Sequence, residues 1–207
     1  MTSEARLRKL WLIDAGYLFV AQRDVEPGFY FDYKKLRERL EERSGPFWRA
    51  YYFNSSRNPH ADAASAFHNW LRSAPPSGPK IITRLYQLKT NRADRAYCEE
   101  CSTPVHLGCP HGQGHHIHSE VQKGVDVGIA TTALTLMADY DALVLSSGDG
   151  DLLDAIEYIS QAGKRIELAV FKSGVSTELQ ARADAIHWID DFKDAVRRER
   201  SAVGLAT

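Results

Sequence analysis

Apolar strand-like runs alternate with apolar-periodic helical segments along this chain of 207 residues, and that alternation is the strongest constraint on its fold. It is clearest at residues 142–163, where the run Ala142–Leu145 precedes leucine or isoleucine at positions 152, 153, 156 and 159. The run is typical of a buried strand, and the later spacing is typical of a helix. Strands that alternate with helices form parallel sheets. We therefore predict an α/β fold with a doubly wound, mainly parallel sheet.

The same alternation continues on both sides of this segment and predicts five or six strands. Further strands are predicted at Leu10–Asp14, Phe47–Phe53, Lys80–Leu88, Arg165–Phe171 and through Ala185–Ile189. Further helices are predicted at Asp32–Arg43, Ala61–Ser73 and about Val121–Ala138. The length and the 43% hydrophobic composition fit one domain over residues 1–207, with an insertion at about residues 90–120 where the alternation stops.

Composition and charge narrow the function classes. No apolar run reaches the roughly 18 residues that a membrane span needs, and the charged start Met1–Lys9 leads into a strand rather than an apolar signal segment. We therefore expect a cytoplasmic protein without a membrane partner. The net charge of −1 means that any nucleic acid would have to meet a local basic patch. Nothing in the composition excludes a homo-oligomer.

Four aspartates stand at the ends of predicted elements. Asp149 and Asp151 follow the strand at residues 142–145, Asp14 ends the first strand, and Asp126 lies near the start of a helix. One aspartate could simply cap a helix, but a neighbouring carboxylate adds repulsion that a structural turn would avoid. Because strands with right-handed crossovers end at the same edge of a parallel sheet, we expect the four carboxylates to converge there.

Such a cluster needs a compensating cation. Oxygen-only ligands favour Mg²⁺ or Mn²⁺, which suits the hydrolysis of phosphodiester bonds. We predict that Asp14 and Asp149 hold the principal ion, while Asp126 and Asp151 orient waters or a second ion. Lys123 is predicted either to neutralise a phosphate or to be an exposed lysine at the start of a helix.

Several segments together resemble the NYN domain, the LabA-like branch of the PIN-like nucleases. They are Leu12–Asp14, Lys123–Val127, Val144–Asp151, Gly163–Glu167 and the late stretch Ser176–Asp184. The resemblance implies a doubly wound sheet, RNA as the partner, and Mg²⁺- or Mn²⁺-dependent RNA cleavage. It carries the family's acids onto positions 14, 126, 149 and 151. Ser147, inside the Ser-Gly-Asp-x-Asp motif, is a candidate contact to substrate.

The chain departs from the family pattern at one position. The family often has Asp-Gly-x-Asn after its first strand, whereas this chain has Asp14 followed by alanine, glycine and Tyr17. Tyr17 is predicted either to stack on a base of the substrate or to pack near the sheet edge. The departure keeps open a second function, a non-catalytic RNA- or protein-binding module. A phosphatase of small esters is disfavoured because its Asp-x-Asp motif should follow the first strand, where Asp14 is instead followed by alanine and glycine.

All three cysteines lie in the insertion, in a spacing typical of structural zinc. Cys98 and Cys101 form a Cys-x2-Cys pair, and Cys109 follows with several histidines close by. Thiolates and imidazoles suit tetrahedral Zn²⁺, whereas an odd number of cysteines in a cytoplasmic protein argues against disulfides. We predict a structural zinc held by these cysteines and His111. The alternatives for the fourth ligand are His106, His115 and His116.

Overall fold

Alternate residues of the first strand enter two different cores, and this makes the central sheet two-faced. Trp11 and Ile13 pack into one buried cluster, while Leu10 and Leu12 pack into the other. Every residue of this strand is buried, as expected for a strand that is covered by helices on both faces. The computed structural model describes residues 7–63, 65–73, 81–112 and 114–199.

The strands fall into one large sheet and two small hairpins. In chain order they are β1 Lys9–Asp14, β2 Phe47–Ser56, β3 Ile82–Gln87, β4 Lys89–Arg92, β5 Arg95–Tyr97, β6 Pro104–His106, β7 His118–Val121, β8 Ala142–Ser146, β9 Arg165–Val170 and β10 Ala185–Trp188. Over the described ranges the large sheet has six strands in the order β10-β9-β8-β1-β2-β3, and all its pairings are parallel.

Helices connect and cover the strands. They are α1 Ala15–Ala21, α2 Tyr33–Ser44, α3 Pro59–Ala63, α4 Ala66–Arg72, α5 Val125–Thr135, α6 Leu153–Gln161, α7 Thr177–Arg182 and α8 Lys193–Val196. Short 3-10 turns precede α6 and α8. In the described part of the chain, no helix has the length and apolar character needed to cross a membrane.

The α/β class, the parallel sheet and most predicted elements are confirmed. The predicted strand Lys80–Leu88 is observed as β3, although Lys80 itself lies outside the described residues. The predicted helix Ala61–Ser73 is instead two short helices, and Ser65 caps the second of them. The predicted helix Val121–Ala138 begins only at Val125.

The late start of that helix has a clear cause in the insertion. Val121 ends β7 and pairs with Lys89 of β4, so its backbone is extended rather than helical. A second antiparallel hairpin, β5 with β6, lies between these two strands in sequence. The insertion therefore consists of two antiparallel strand pairs, one nested inside the other in sequence, between β3 and α5.

The strand order fixes where a ligand site can form. From β1 the chain proceeds outwards through β2 and β3, whereas from β8 it proceeds in the opposite direction through β9 and β10. The direction of winding therefore reverses between the neighbouring strands β1 and β8. Open α/β sheets bind ligands at the carboxyl ends of the strands that flank such a reversal.

Candidate active site

Asp14 lies at the carboxyl end of β1, beside the reversal of the sheet. It is the N-cap of α1, where its carboxylate accepts a hydrogen bond from the backbone N–H of Tyr17 at 3.1 Å. Its second oxygen accepts a hydrogen bond from the hydroxyl of Ser147 at 3.1 Å. With only 6% of its surface exposed, Asp14 is a buried carboxylate with a fixed orientation.

The loop after β8 brings two more carboxylates to the same edge. Asp149 accepts a hydrogen bond from the backbone N–H of Asp151 at 3.0 Å and so caps the 3-10 turn that leads into α6. The backbone N–H of Asp149 donates to the hydroxyl oxygen of Ser147 at 3.2 Å. The fully buried Ser147 therefore links this loop to Asp14, while Asp149 and Asp151 themselves are exposed.

Asp126 reaches the edge from the first turn of α5. The N-cap of this helix is Gly124, whose φ of +87° is in the left-handed region that glycine tolerates best. A Cβ on Gly124 would also lie 3.3 Å from the ring of Tyr86. A turn that only glycine adopts readily therefore sets the direction in which α5, and with it Asp126, approaches the sheet.

Three of the four aspartates line one cavity of about 450 Å³. Its described lining residues are Asp14, Gly16, Tyr17, Val20, Ala21, Gln122, Asp126, Asp149, Ser173 and Gly174. Asp151 is absent from the lining but is close enough to act electrostatically on Asp126. The predicted convergence of the four acids at one edge of the sheet thus has direct support for three of them.

Burial and mutual repulsion raise the pKa values of two of these acids. Burial raises the pKa of Asp14, and the negative charge of Asp126 adds to that rise. Burial also raises the pKa of Asp126, with further contributions from the charges of Asp149 and Asp151. Hydrogen bonds to the Asp14 carboxylate act in the opposite direction without cancelling the rise. The cluster therefore favours the binding of a positive charge.

No side chain supplies that charge within the described residues. None of the four aspartates forms a salt bridge there with lysine, arginine or histidine. In the same part of the chain, no three His, Cys, Asp or Glu side chains are gathered closely enough to hold a metal ion as they stand. The acids share a cavity, but their side chains do not form a closed set of ligands.

The three residues predicted to contact substrate differ in burial and in their distance from the cavity. They are Tyr17, Ser147 and Lys123. The hydroxyl of Tyr17 donates to the backbone oxygens of Phe171 and Ser173 at 3.0 and 3.1 Å, so it anchors the loop after β9 while its ring borders the acidic cavity. Ser147 is buried and orients two aspartates. Lys123 is exposed and is not among the residues that line the cavity. Contact of these residues with substrate stays a prediction.

Sequence reasoning missed two features of the cavity. Gln122 lines it, and its amide oxygen would lie 3.2 Å from a Cβ on Gly16. Gly148 packs so closely against the loop after β9 that a Cβ would lie 1.9 Å from the carbonyl oxygen of Gly174. The position of Gln122 next to Lys123 in sequence was an available signal for the first. The second depends on contact between two loops that are distant in sequence.

The cysteine segment forms two separate pairs. Cys101 interacts with Cys98, and its hydrogen bonds with Thr103 and Cys98 lower the pKa of its thiol. Cys109 lies 3.5 Å from Nδ1 of His115. The predicted ligand His111 has no such contact with Cys109 among the hydrogen bonds of the described residues. The predicted zinc set is therefore not assembled as one group in this structure.

The fold and the acidic edge define the class of protein to which this chain belongs. It is an α/β protein with a parallel sheet, a reversal between β1 and β8, and carboxylates at that reversal. The model of the NYN domain family matches residues 10–190, which over the described ranges include the six strands of the large sheet apart from Lys9, the first residue of β1. The chain belongs to the NYN domain family, and this supports its assignment to the PIN-like superfamily.

Comparison with solved structures supports the same fold. A protein of unknown function from Vibrio parahaemolyticus is 20% identical in sequence and superimposes with a TM-score of 0.62. The match covers 96% of this chain and 100% of the other chain. At that identity the likeness concerns the fold alone. A comparison with curated proteins finds no match.

Proposed function

We propose that this chain is a Mg²⁺- or Mn²⁺-dependent ribonuclease that hydrolyses RNA phosphodiester bonds at Asp14, Asp126, Asp149 and Asp151. The observation that carries the proposal is the shared cavity at the reversal of the sheet, where the carboxylates lack a basic partner among the described residues. Membership of the NYN domain family, part of the PIN-like nucleases, supports the reaction class. The LabA-like branch stays a prediction.

The chemistry of the side chains fits a hard divalent cation. The candidate ligands are all oxygens, and burial and mutual repulsion raise the pKa values of Asp14 and Asp126. A divalent cation removes the repulsion that otherwise favours proton uptake. When bound, it would polarise the phosphate and lower the pKa of an attacking water. Mg²⁺ and Mn²⁺ are preferred for such oxygen ligands, and Mg²⁺ commonly keeps several waters.

The chain's own residues would hold the reacting groups in position. Two hydrogen bonds fix the carboxylate of Asp14, one from the backbone of Tyr17 and one from Ser147. Asp149 is fixed in turn by its capping bond to the backbone of Asp151. Carboxylates whose orientation is set before substrate binds need less reorganisation during the reaction. Lys123, although exposed, precedes α5 and is proposed to meet an RNA phosphate.

RNA cleavage in the presence and absence of divalent ions tests the proposal. Labelled single-stranded and structured RNAs are incubated with the protein in Mn²⁺, in Mg²⁺ and in EDTA. We expect cleavage only with the ions, and a loss on the order of 100-fold or more for Asp149→Asn. Asp139→Asn is the matched control, because Asp139 is an exposed aspartate near the opposite end of α5. Cleavage that persists in EDTA, or equally in both variants, contradicts the proposal.

A second candidate is a binding module that keeps the fold without turnover. The observation in its favour is Tyr17, whose hydroxyl is held by two backbone carbonyls where the family often has asparagine. The open arrangement of the four acids also favours it. RNA binding without ion-dependent cleavage of any tested substrate would support this function over the ribonuclease.

We also propose that the insertion binds a structural Zn²⁺ through Cys98, Cys101, Cys109 and a histidine. The contact between Cys109 and His115 favours His115 over His111 as the fourth ligand. Elemental analysis of protein purified without chelator should give one zinc per chain. The His115→Ala variant should lose the metal and His111→Ala should keep it. Protein without stoichiometric zinc contradicts the proposal. If His111→Ala loses the metal and His115→Ala keeps it, His111 is the fourth ligand instead.

A further inference from the structure

A second and larger cavity adjoins the aspartate edge. Its volume is about 760 Å³, within the range of about 300–1000 Å³ that small-molecule sites occupy. Ala15 and Gly16, which directly follow Asp14, form part of its wall, and Gly16 also lines the acidic cavity. The two cavities therefore meet at the start of α1.

Aromatic side chains dominate this second cavity. Its described lining includes Phe19, Tyr30, Phe31, Tyr33, Tyr52, Phe67 and Trp70. Tyr30 is 52% exposed and Phe67 is 37% exposed, so part of each side chain is accessible to a ligand. Clustered exposed apolar surface on a protein commonly marks a place where another molecule binds. We refer to this cavity below as the aromatic cavity.

Contacts among the rings hold the floor of the aromatic cavity in one arrangement. The ring of Tyr33 packs on those of Phe31, Tyr52 and Phe67, with centroid distances of 4.6, 5.4 and 6.0 Å. The ring of Phe67 also stacks on Trp70 at 6.0 Å. Such a floor is formed before a ligand arrives, which reduces the entropy that binding must overcome.

The floor is close enough to Asp14 for the negative charge of that carboxylate to act on two of its tyrosines. Burial raises the pKa of Tyr52 to about 12, and the negative charge of Asp14 adds to that rise. The same charge acts on Tyr33. Because Gly16 lines both cavities, a molecule in the aromatic cavity would lie beside a molecule that binds at Asp14.

Four charged side chains line the aromatic cavity, and two of them, Asp32 and Glu199, are acidic. Lys35 and Arg198 are both among its lining residues. Lys35 bonds to Glu199 at 2.8 Å, and Arg198 is exposed. Exposed aromatic rings beside a cation are a surface that single-stranded nucleic acid recognises, since bases stack on rings while phosphates meet the cation.

We propose that the aromatic cavity binds one nucleobase of an RNA strand whose neighbouring phosphate lies at the aspartate edge. The inference rests on the proposed ribonuclease function for the position of that phosphate. Stacking tolerates every base, because each has a flat π face, so the cavity selects an unpaired nucleotide rather than a sequence. The substrate class is therefore RNA that is single-stranded at the cleavage point.

Binding of short RNAs in Ca²⁺ without cleavage tests the inference. Eight-residue single-stranded RNAs are used, each lacking the base at a different single position, and their affinities are measured by fluorescence anisotropy. We expect one abasic position to weaken binding about tenfold, equal to about 1.4 kcal/mol. In Tyr30→Ala, the intact RNA should bind about tenfold more weakly, and the abasic site should cause little further loss.

Two further variants keep the test specific. Phe67→Leu retains apolar volume while removing an aromatic face, so it should weaken binding of the intact RNA without unfolding the chain. Tyr158→Ala is the matched control, because Tyr158 is 58% exposed on α6 and is not among the residues that line the aromatic cavity. If the three variants bind the intact RNA with equal affinity, or if loss of the base has the same effect at every position, the inference is overturned.

The test of the base site can be told apart from the test of the ribonuclease. Cleavage is measured in parallel with Mn²⁺ on the intact RNA. A protein that cleaves but shows a flat abasic profile refutes the base site alone. A protein that shows the position-specific loss without cleavage refutes the ribonuclease and keeps the base site. Absence of both refutes both.

Discussion

Replacing Gly148 with alanine should damage the candidate site more than any other single methyl addition in its loop. The new Cβ would lie 1.9 Å from the carbonyl oxygen of Gly174 and 2.6 Å from a ring carbon of Tyr17. Ordinary contact begins at 3.4 Å, so the two backbones must separate by about 1.5 Å. Gly148 also accepts a hydrogen bond from the backbone of Ser176, which that separation would break.

The cost of this separation falls on both stability and activity. Overpacking of this kind typically destabilises a protein by about 1–3 kcal/mol. The shift should also displace Asp149, the next residue, relative to Asp14. A displacement of about 1 Å in reacting groups costs on the order of 100-fold in rate. We therefore expect Gly148→Ala to lower the free energy of unfolding by about 1–3 kcal/mol and RNA cleavage by about 100-fold.

Gly150→Ala provides the matched control in the same loop. Its Cβ would meet only the side chain of Ser176, at 3.5 and 3.7 Å, and its φ lies outside the left-handed region. At a compatible position, glycine to alanine stabilises by about 0.4–1 kcal/mol. The free energy of unfolding in urea and the rate of RNA cleavage are measured for both variants. If Gly148→Ala unfolds and cleaves like Gly150→Ala, the described packing of the loop is wrong.

Two further changes probe a buried charged network in the sheet and the anchoring of Tyr17. Burial would raise the pKa of Glu167, but hydrogen bonds from His187 and Lys9 lower it from the usual 4.5 to about 2, which stabilises the fold by about 3 kcal/mol. That contribution is complete above about pH 4.5 and is lost as pH falls towards 2. In Glu167→Gln, the free energy of unfolding measured by chemical denaturation should therefore depend less on pH in this range. An unchanged pH dependence contradicts the hydrogen bonds of Glu167 with His187 and Lys9. Tyr17→Phe should cost about 1–2 kcal/mol in urea unfolding by removing its hydroxyl bonds. It should leave Mn²⁺ dependence intact, and a loss of that dependence would show that the hydroxyl acts in the reaction.

The acid-bearing elements could be predicted because their signals are local. The apolar strand at residues 142–146 and the spacing of Leu152, Ile156 and Ile159 need no distant partner to be recognised. The convergence of Asp14 with Asp149 followed from a rule about parallel sheets, and the pairing of β1 with β8 supports it. Periodicity therefore predicts elements, and topology rules place their ends.

Other parts depended on contacts that sequence patterns do not contain. Helix α1 was missed because Ala15–Ala21 is apolar on all sides apart from one glycine and one tyrosine, so it lacks helical periodicity. Val121 reads as part of a helix until its pairing with Lys89 is known. The aromatic cavity was missed because its walls come from positions between 15 and 199.

Stabilisation by Mn²⁺ tests the central claim most directly, since the claim is that the four aspartates form a cation site. At a Mn²⁺ concentration 100-fold above the dissociation constant, binding to the folded state should add about 2.7 kcal/mol to the free energy of unfolding. Asp149→Asn should lose most of this gain, whereas Asp139→Asn should retain it. A free energy of unfolding that does not change with Mn²⁺, or that rises equally in both variants, would contradict the account.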